Sequence, residues 1–258
     1  MKGFDPARII TGALLVLVSC GAYADLAPGT GIYGTRHDFT GTGFFTTVSG
    51  LPIGLCTICH TPHSAFTTSL LWNQKMTTAI FTWGDVTETT GHTTLPSSAR
   101  HGSSTKCLSC HDGTVSVGDT AVFNGSVGGV SATYPAGTLV TRIAAGLYGI
   151  GHNGNMSGNH PIAVPYPLNT TSSTYNGITT GSSVNLNEFV ASPSVVKLYS
   201  DDGSGNISPG PQAGKTGIEC SSCHDPHNRQ VQDISFLRAK ISGSTQADGY
   251  LCLQCHIK

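Results

Sequence analysis

Charge is scarce in this 258-residue chain, and only 10% of its residues are Asp, Glu, Lys or Arg. Soluble domains typically carry about 25% charged residues, so this surface has few groups for electrostatic docking. The 13 basic and 14 acidic side chains nearly balance. Because the chain lacks the excess of basic residues that neutralises a phosphate backbone, we predict that nucleic acid is not a partner.

Long apolar runs are also missing, and the one from Ile9 to Val18 is too short to span a bilayer. It follows two basic residues and precedes Ala22-Tyr23-Ala24, so residues 1–24 are predicted to be a secretory signal peptide. A lipoprotein-like box ending at Cys20 leaves a lipid anchor open as an alternative. We expect residues 25–258 to be secreted to the extracellular space or the outer cell surface, with the periplasm as the alternative.

A sustained apolar period of 3.6 residues is absent too, which argues against long helices. The stretch between residues 111 and 220 is rich in Gly, Ser, Thr, Asn and Pro. This composition predicts loops with a few short strands. We therefore predict a mostly irregular coil with short helices and few short strands. Such a chain buries little apolar area, so its core has to include another component.

One pentapeptide, C-x-x-C-H, occurs four times, at Cys56–His60, Cys107–His111, Cys220–His224 and Cys252–His256. Two thiols on one turn can form thioethers to porphyrin vinyl groups, and the following imidazole then meets the iron. Thioredoxin-like redox pairs and four-cysteine zinc sites also use C-x-x-C, but neither explains a histidine at the same offset each time. We therefore expect four haem c groups and a haem-centred multihaem cytochrome c fold. The predicted attachment residues are Cys56, Cys59, Cys107, Cys110, Cys220, Cys223, Cys252 and Cys255, and the proximal iron ligands are His60, His111, His224 and His256.

The four motifs form two similar pairs. The first member of each pair continues as C-x-x-C-H-x-P-H, ending at His63 and His227, and the second member reads C-L-x-C-H. This pattern predicts a single domain over residues 25–258 with an internal twofold repeat, at approximately residues 37–114 and 160–258.

Histidine is abundant, with 11 residues against three methionines, so we expect two imidazoles at each of the four irons. His63 and His227 each lie three residues after a proximal ligand, on nearly the same side of the local turn. Neither can reach the opposite face of its own haem. We therefore expect His63 to serve the haem of Cys107, and His227 to serve the haem of Cys252.

The two remaining distal ligands are expected from the segments upstream of each motif pair. His37 and His160 occupy equivalent places in the repeat and are our candidates. His101 and His152 are the substitutes, and His92 is expected to be a surface residue.

With these residues assigned, the chain resembles the doubled C-x-x-C-H multihaem cytochromes. Within them it is similar to the tetrahaem subunits of extracellular cytochrome nanowires of metal-respiring microbes (OmcE-like). The resemblance runs from His37 to the C-terminus, although residues 115–219 match only at His160. The matching segments are residues 34–39, 56–65, 71–73, 107–114, 159–162, 220–227 and 251–256.

This resemblance implies a subunit that stacks its haems in one continuous chain and polymerises with copies of itself. It also implies that one haem takes an axial histidine from the adjacent subunit, and His37 is the candidate donor. The implied function is electron conduction between redox donors and acceptor proteins or metal oxides, not enzymatic catalysis. Two alternatives stay open: a discrete periplasmic or surface-anchored tetrahaem shuttle, and a multihaem oxyanion reductase, which would need an open iron site.

Overall fold

The computed structural model describes residues 28–40, 54–65, 69–83, 102–123, 126–127 and 142–257. The predicted signal peptide with Cys20, and the histidines His92 and His101, lie outside these residues. Within the described ranges, no helix is both long enough and apolar enough to cross a bilayer.

Helices are short throughout the described residues. Helix α1 spans Ser103–His111, and α2 spans Cys220–Cys223. Single 3-10 turns occur at Ser69–Leu71, His152–Gly154, Leu168–Thr170, Leu186–Glu188 and Cys252–Gln254. Helix α1 contains the whole second C-x-x-C-H motif, and α2 contains both cysteines of the third. A helical turn thus forms where two thiols have to project from the same side of the backbone.

The strands have only two or three residues each. They are β1 (Val122–Phe123), β2 (Ser126–Val127), β3 (Val164–Pro165), β4 (Thr174–Tyr175), β5 (Ile178–Thr179), β6 (Tyr199–Asp201), β7 (Ile207–Pro209) and β8 (Thr216–Ile218). Strands β3, β8, β6 and β7 form an antiparallel sheet in that order, while β1 pairs with β2 and β4 with β5. The predicted fold of coil with short helices and few short strands is confirmed.

Apolar packing in the described residues is confined to small clusters that support the motifs. The first cluster consists of Phe81, Trp83, Leu108, Met156, Ala163, Val164 and Ile178. Leu108 lies between the two cysteines of the second motif, so this cluster fixes α1. In the second cluster, Tyr166, Leu168 and Leu198 pack together and Cys255 lies against them. The protein core therefore lies beside the predicted haem-attachment residues and positions them.

Gly217 in β8 has no room for a side chain, because the ring of the fully buried Tyr175 lies against it. A Cβ at residue 217 would lie 2.2 Å from Tyr175 Cγ. We expect Gly217→Ala to lower the free energy of unfolding by about 1–3 kcal/mol, since the ring or the strand has to shift. Denaturant unfolding followed by circular dichroism measures the change.

The control for this variant is Gly181→Ala, whose Cβ would meet only ordinary contacts, such as Ser183 Oγ at 3.8 Å. An equal loss of stability in both variants would contradict the packing explanation.

Candidate haem-attachment sites

The first and third C-x-x-C-H motifs have the same local backbone structure. His60 forms an isolated antiparallel bridge with Trp72, and His224 forms one with Leu237. The residues in the left-handed region also correspond: Ser64, Leu70 and Leu71 follow the first motif, and Asn228, Ser235 and Phe236 follow the third. The two segments therefore repeat one another in geometry as well as in sequence.

The proximal histidines His60, His111 and His224 each donate a hydrogen bond from Nδ1 to a backbone carbonyl oxygen. The acceptors are Leu70 for His60 at 2.6 Å, Tyr148 for His111 at 2.8 Å, and Ser235 for His224 at 2.8 Å. Because a carbonyl oxygen only accepts, Nδ1 carries the hydrogen and Nε2 is left as the metal-binding nitrogen. Each imidazole is thus held in the tautomer and orientation that haem iron requires.

Three proximal histidines face a second imidazole at one common distance. The ring centroids are 6.2 Å apart in the pairs His60 with His227, His111 with His37, and His256 with His160. Two imidazoles that bind one metal from opposite sides, with bonds of about 2.0 Å, have ring centroids about 6 Å apart. The spacing therefore fits an iron between the members of each pair.

The ring angles in these pairs follow the internal repeat. The pairs of His37 with His111 and of His160 with His256 have interplanar angles of 66° and 61°. The rings of His60 and His227 are closer to parallel, at 20°, and this pair joins the first half of the chain to the second. These angles support the equivalence of His37 and His160 in the two halves.

Three histidines, His63, His152 and His224, have no such partner among the described residues. Within the part of the chain that the structure describes, His224 forms no ring pair with a second imidazole, and the exposed His63 side chain makes no hydrogen bond, ion pair or ring contact. In the repeat, His63 corresponds to His227 and His224 corresponds to His60. The missing pair is therefore the repeat-related counterpart of the pair formed by His60 and His227.

The distal residues face different haem sites from those expected. His227 lies opposite His60 and not His256, and His37, not His63, lies opposite His111. The cause is long-range packing of the N-terminal segment on the second half. His37 Nδ1 donates to Pro226 O at 3.3 Å, and the His37 ring stacks on Phe236 at 4.7 Å.

The substitute ligand His152 lies beside the second motif without facing a proximal ligand. A Cβ at Gly113 would lie 2.8 Å from His152 Nε2, which shows how closely this ring packs on the turn after α1. The other substitute, His101, is outside the described residues.

Electrostatics at His37 favour the neutral imidazole that binds metal. Burial, with a further contribution from the neighbouring His111, lowers the pKa of His37 to about 4. A neutral ring with Nδ1 bonded to a carbonyl leaves the Nε2 lone pair for iron.

Large apolar side chains are exposed next to the residues that hold the proximal histidines. Leu70, whose carbonyl binds His60, is 61% exposed, and Ile234, which precedes the acceptor Ser235, is 53% exposed. Tyr148 and Ile257 are further exposed apolar residues, beside His111 and His256. This exposed apolar surface lies beside the proximal histidines, where contact with the apolar ring of a porphyrin would remove it from water. A porphyrin at each proximal histidine would cover it, so the residues fit haem.

The cysteines of successive motifs are neighbours in space. The thiols of Cys107 and Cys220 contact each other. Cys59 lies close to Cys110, and Cys223 lies close to both cysteines of the fourth motif. The attachment sites therefore follow one another in space in the order in which they occur in the sequence.

The ionisation of the cysteines disfavours the other uses of C-x-x-C. Burial raises the pKa of Cys59 and of Cys223 to about 11, and that of Cys255 to about 12, with adjacent thiols contributing. Redox pairs and zinc sites use thiolates, which a lowered pKa favours. Moreover, the part of the chain that the structure describes contains no cluster of three or more His, Cys, Asp or Glu side chains able to hold a metal ion.

One contributor to the sites had no signal in the sequence. The carbonyl of Tyr148, which orients His111, lies 37 residues after it in the chain. Any residue could supply this backbone group, so no motif marks it. By contrast, the carbonyls of Leu70 and Ser235 lie within the apolar segments that follow the first and third motifs, and the repeat relates them.

Comparison with known proteins agrees with these features. Residues 212–258 match the family model described as "Doubled CXXCH motif". The matched segment contains the third and fourth motifs and His227. No curated protein matches the chain. The doubled motif indicates covalently bound haem c and a multihaem c-type cytochrome that functions in electron transfer.

Proposed function

We propose that this multihaem c-type cytochrome carries four haem c groups and is the polymerising subunit of an extracellular filament that conducts electrons. Haem c supplies one-electron iron redox chemistry when bound. The eight motif cysteines anchor the groups, and the histidines hold the irons from both sides. With both axial positions supplied by the protein, a substrate has no iron site to occupy, so we propose conduction and not catalysis.

The main support for a filament is a histidine pair that the internal repeat predicts. The described residues of one chain do not form this pair. His227 of the second half reaches His60 of the first half. If the next copy follows the second half as the second half follows the first, His63 of that copy lies opposite His224. This contact is head-to-tail, because each copy offers one haem site that lacks a distal ligand, at His224, and one donor histidine, His63. Assembly then continues into a filament, unless the rotation between successive copies closes a ring.

Backbone contacts around these residues support the same arrangement. Gly31 N donates to Asn228 O at 3.1 Å, so the segment that carries His37 packs on the loop that follows the third motif. The repeat-related segments are those around His160 and His63. No hydrogen bond, ion pair or ring contact joins these two segments within the described chain, and both histidines are exposed. We propose that residues 157–162 of one copy contact residues 61–65 of the next.

This arrangement changes the expected donor. His37 was the candidate for donation to an adjacent subunit, but it lies opposite His111 of its own chain. His63 replaces it in the proposal, because it is exposed and because the repeat pairs it with His224.

We expect His63→Ala to prevent filament formation while the protein still carries four haems. One haem of the four, that of Cys220 and Cys223, should become high-spin because it loses its distal imidazole. Cryo-electron microscopy of the secreted material and electron paramagnetic resonance of the same sample measure both effects. The control is His152→Ala, which should assemble normally.

Filaments of His63→Ala with four six-coordinate haems would contradict the donation of His63. Discrete wild-type monomers with four low-spin haems would favour the periplasmic or surface-anchored shuttle. A high-spin signal in the wild-type protein that changes on adding nitrite would favour an oxyanion reductase.

A further inference from the structure

A buried lysine and a buried glutamate lie at the junction of the second and third motifs. Lys106 directly precedes Cys107 and is 3% exposed, and Glu219 directly precedes Cys220 and is 2% exposed. Buried charges are rare unless they are paired, and each of these lies next to a haem-attachment cysteine.

Hydrogen bonds fix the Glu219 carboxylate over the start of α1. Oε2 accepts from Ser104 N at 2.7 Å, and Oε1 accepts from the Tyr175 hydroxyl at 2.8 Å. The N-cap residue Gly102 supplies no side-chain cap, and a Cβ there would lie 2.3 Å from Glu219 Oε1. Glu219 therefore caps a helix that lies 115 residues away in the chain, where the helix dipole favours a negative charge.

Lys106 is held on the same helix end and compensates this charge. Its Nζ donates to Gly102 O at 3.3 Å. Burial lowers the pKa of Lys106, and the charge of Glu219 opposes that change. Burial raises the pKa of Glu219, while the hydrogen bonds from Ser104 and Tyr175 and the charge of Lys106 oppose it. Each residue thus supports the charged form of the other.

The position of this pair brings both charges close to two haem-attachment sites. The thiols of Cys107 and Cys220 are in contact, so the second and third haems are anchored at this junction. Charges interact more strongly when they are buried than when water surrounds them. A fixed charge here therefore acts on two irons and has much less influence on the haems of the first and fourth motifs.

We propose that Glu219 and Lys106 set the reduction potentials of the second and third haems in opposite directions. This inference rests on the proposed function, because it requires haems at these motifs. Reduction transfers one electron from an external donor to an iron, Fe(III) to Fe(II), with no bond formed or broken. The negative charge of Glu219 opposes the added electron and lowers the potential, and the positive charge of Lys106 raises it. Both are positioning residues that do not contact the iron.

Potentiometric titration of the variants, monitored by visible spectra, tests this proposal. Glu219→Gln keeps the shape of the side chain and removes its charge. Two of the four one-electron reduction potentials should rise by about 59 mV. This corresponds to about a tenfold change in the equilibrium constant for reduction. Lys106→Met should lower the same two potentials. Asp202→Asn makes the same charge change as Glu219→Gln at an exposed loop and should leave all four unchanged.

The opposite signs distinguish an electrostatic effect from a structural one. A general loosening of the junction would shift the reduction potentials of both variants in the same direction. Each variant is first shown to carry four haems. If Glu219→Gln does not incorporate all four haems, the potentials of Lys106→Met alone test the proposal. Unchanged potentials, or shifts of one sign in both variants, would overturn the tuning role and leave electron transfer intact. A wild-type protein without reducible haem would overturn the proposed function instead.

Discussion

A haem-free chain is expected to show the circular dichroism of an unfolded polypeptide, whereas the haem-loaded protein should unfold cooperatively. The apolar clusters in the described residues are small, and Leu70 and Ile234 are exposed beside the proximal histidines, where a porphyrin would cover them. Haem binding then supplies folding free energy, as metals do in small metallo-domains. The measurement compares residues 25–258 produced with and without haem-attachment enzymes, by circular dichroism and limited proteolysis.

Motif variants provide graded controls for this expectation. Cys56→Ser with Cys59→Ser should remove one of the four proposed haems and leave the other three attached. Asp202→Asn, which changes an exposed residue outside every motif, should leave all four. A haem-free chain with a native-like spectrum and protease resistance would show that the polypeptide folds by itself.

Replacing His227 by alanine is expected to convert one haem of the four, that of Cys56 and Cys59, from low-spin to high-spin. The reason is the 6.2 Å separation of the His227 and His60 rings, which places His227 on the far side of this iron. Electron paramagnetic resonance should show the new high-spin signal, and carbon monoxide should bind to the reduced variant. Added imidazole should restore the low-spin state.

His152→Ala is the matched control for this variant, because His152 faces no proximal ligand and should leave every haem low-spin. A fully low-spin His227→Ala protein that does not bind carbon monoxide would contradict the pairing. His227→Ala also differs from His63→Ala, since His227 lies opposite His60 of its own chain and its loss should affect a monomer, whereas His63 is proposed to act only between copies.

The sequence alone predicts the attachment residues, because covalent haem chemistry requires local spacing. Two cysteines and a histidine within five residues define the site wherever the chain folds. The equivalence of His37 and His160 was also predictable, because the repeat places both upstream of a motif pair, and their matching ring angles support it.

The partner of each distal histidine could not be predicted, since it depends on contacts between distant segments. His37 reaches His111 because its segment packs on Pro226 and Phe236, almost 200 residues later in the chain. Helix α1 lacked a local signal for the same reason, because its capping carboxylate comes from Glu219. A single glutamate before a cysteine has no pattern that would reveal this role.

The contact between the Cys107 and Cys220 thiols also bears on how the protein matures. In an oxidising compartment, two thiols in contact can join as a disulfide, and neither could then bind a vinyl group. A chain that is exported, as we propose, and collapses before it receives haem would bring these two thiols together. Haem attachment at the second and third motifs therefore has to be faster than chain collapse and disulfide formation. The rate of haem supply would then limit how much of the chain matures correctly.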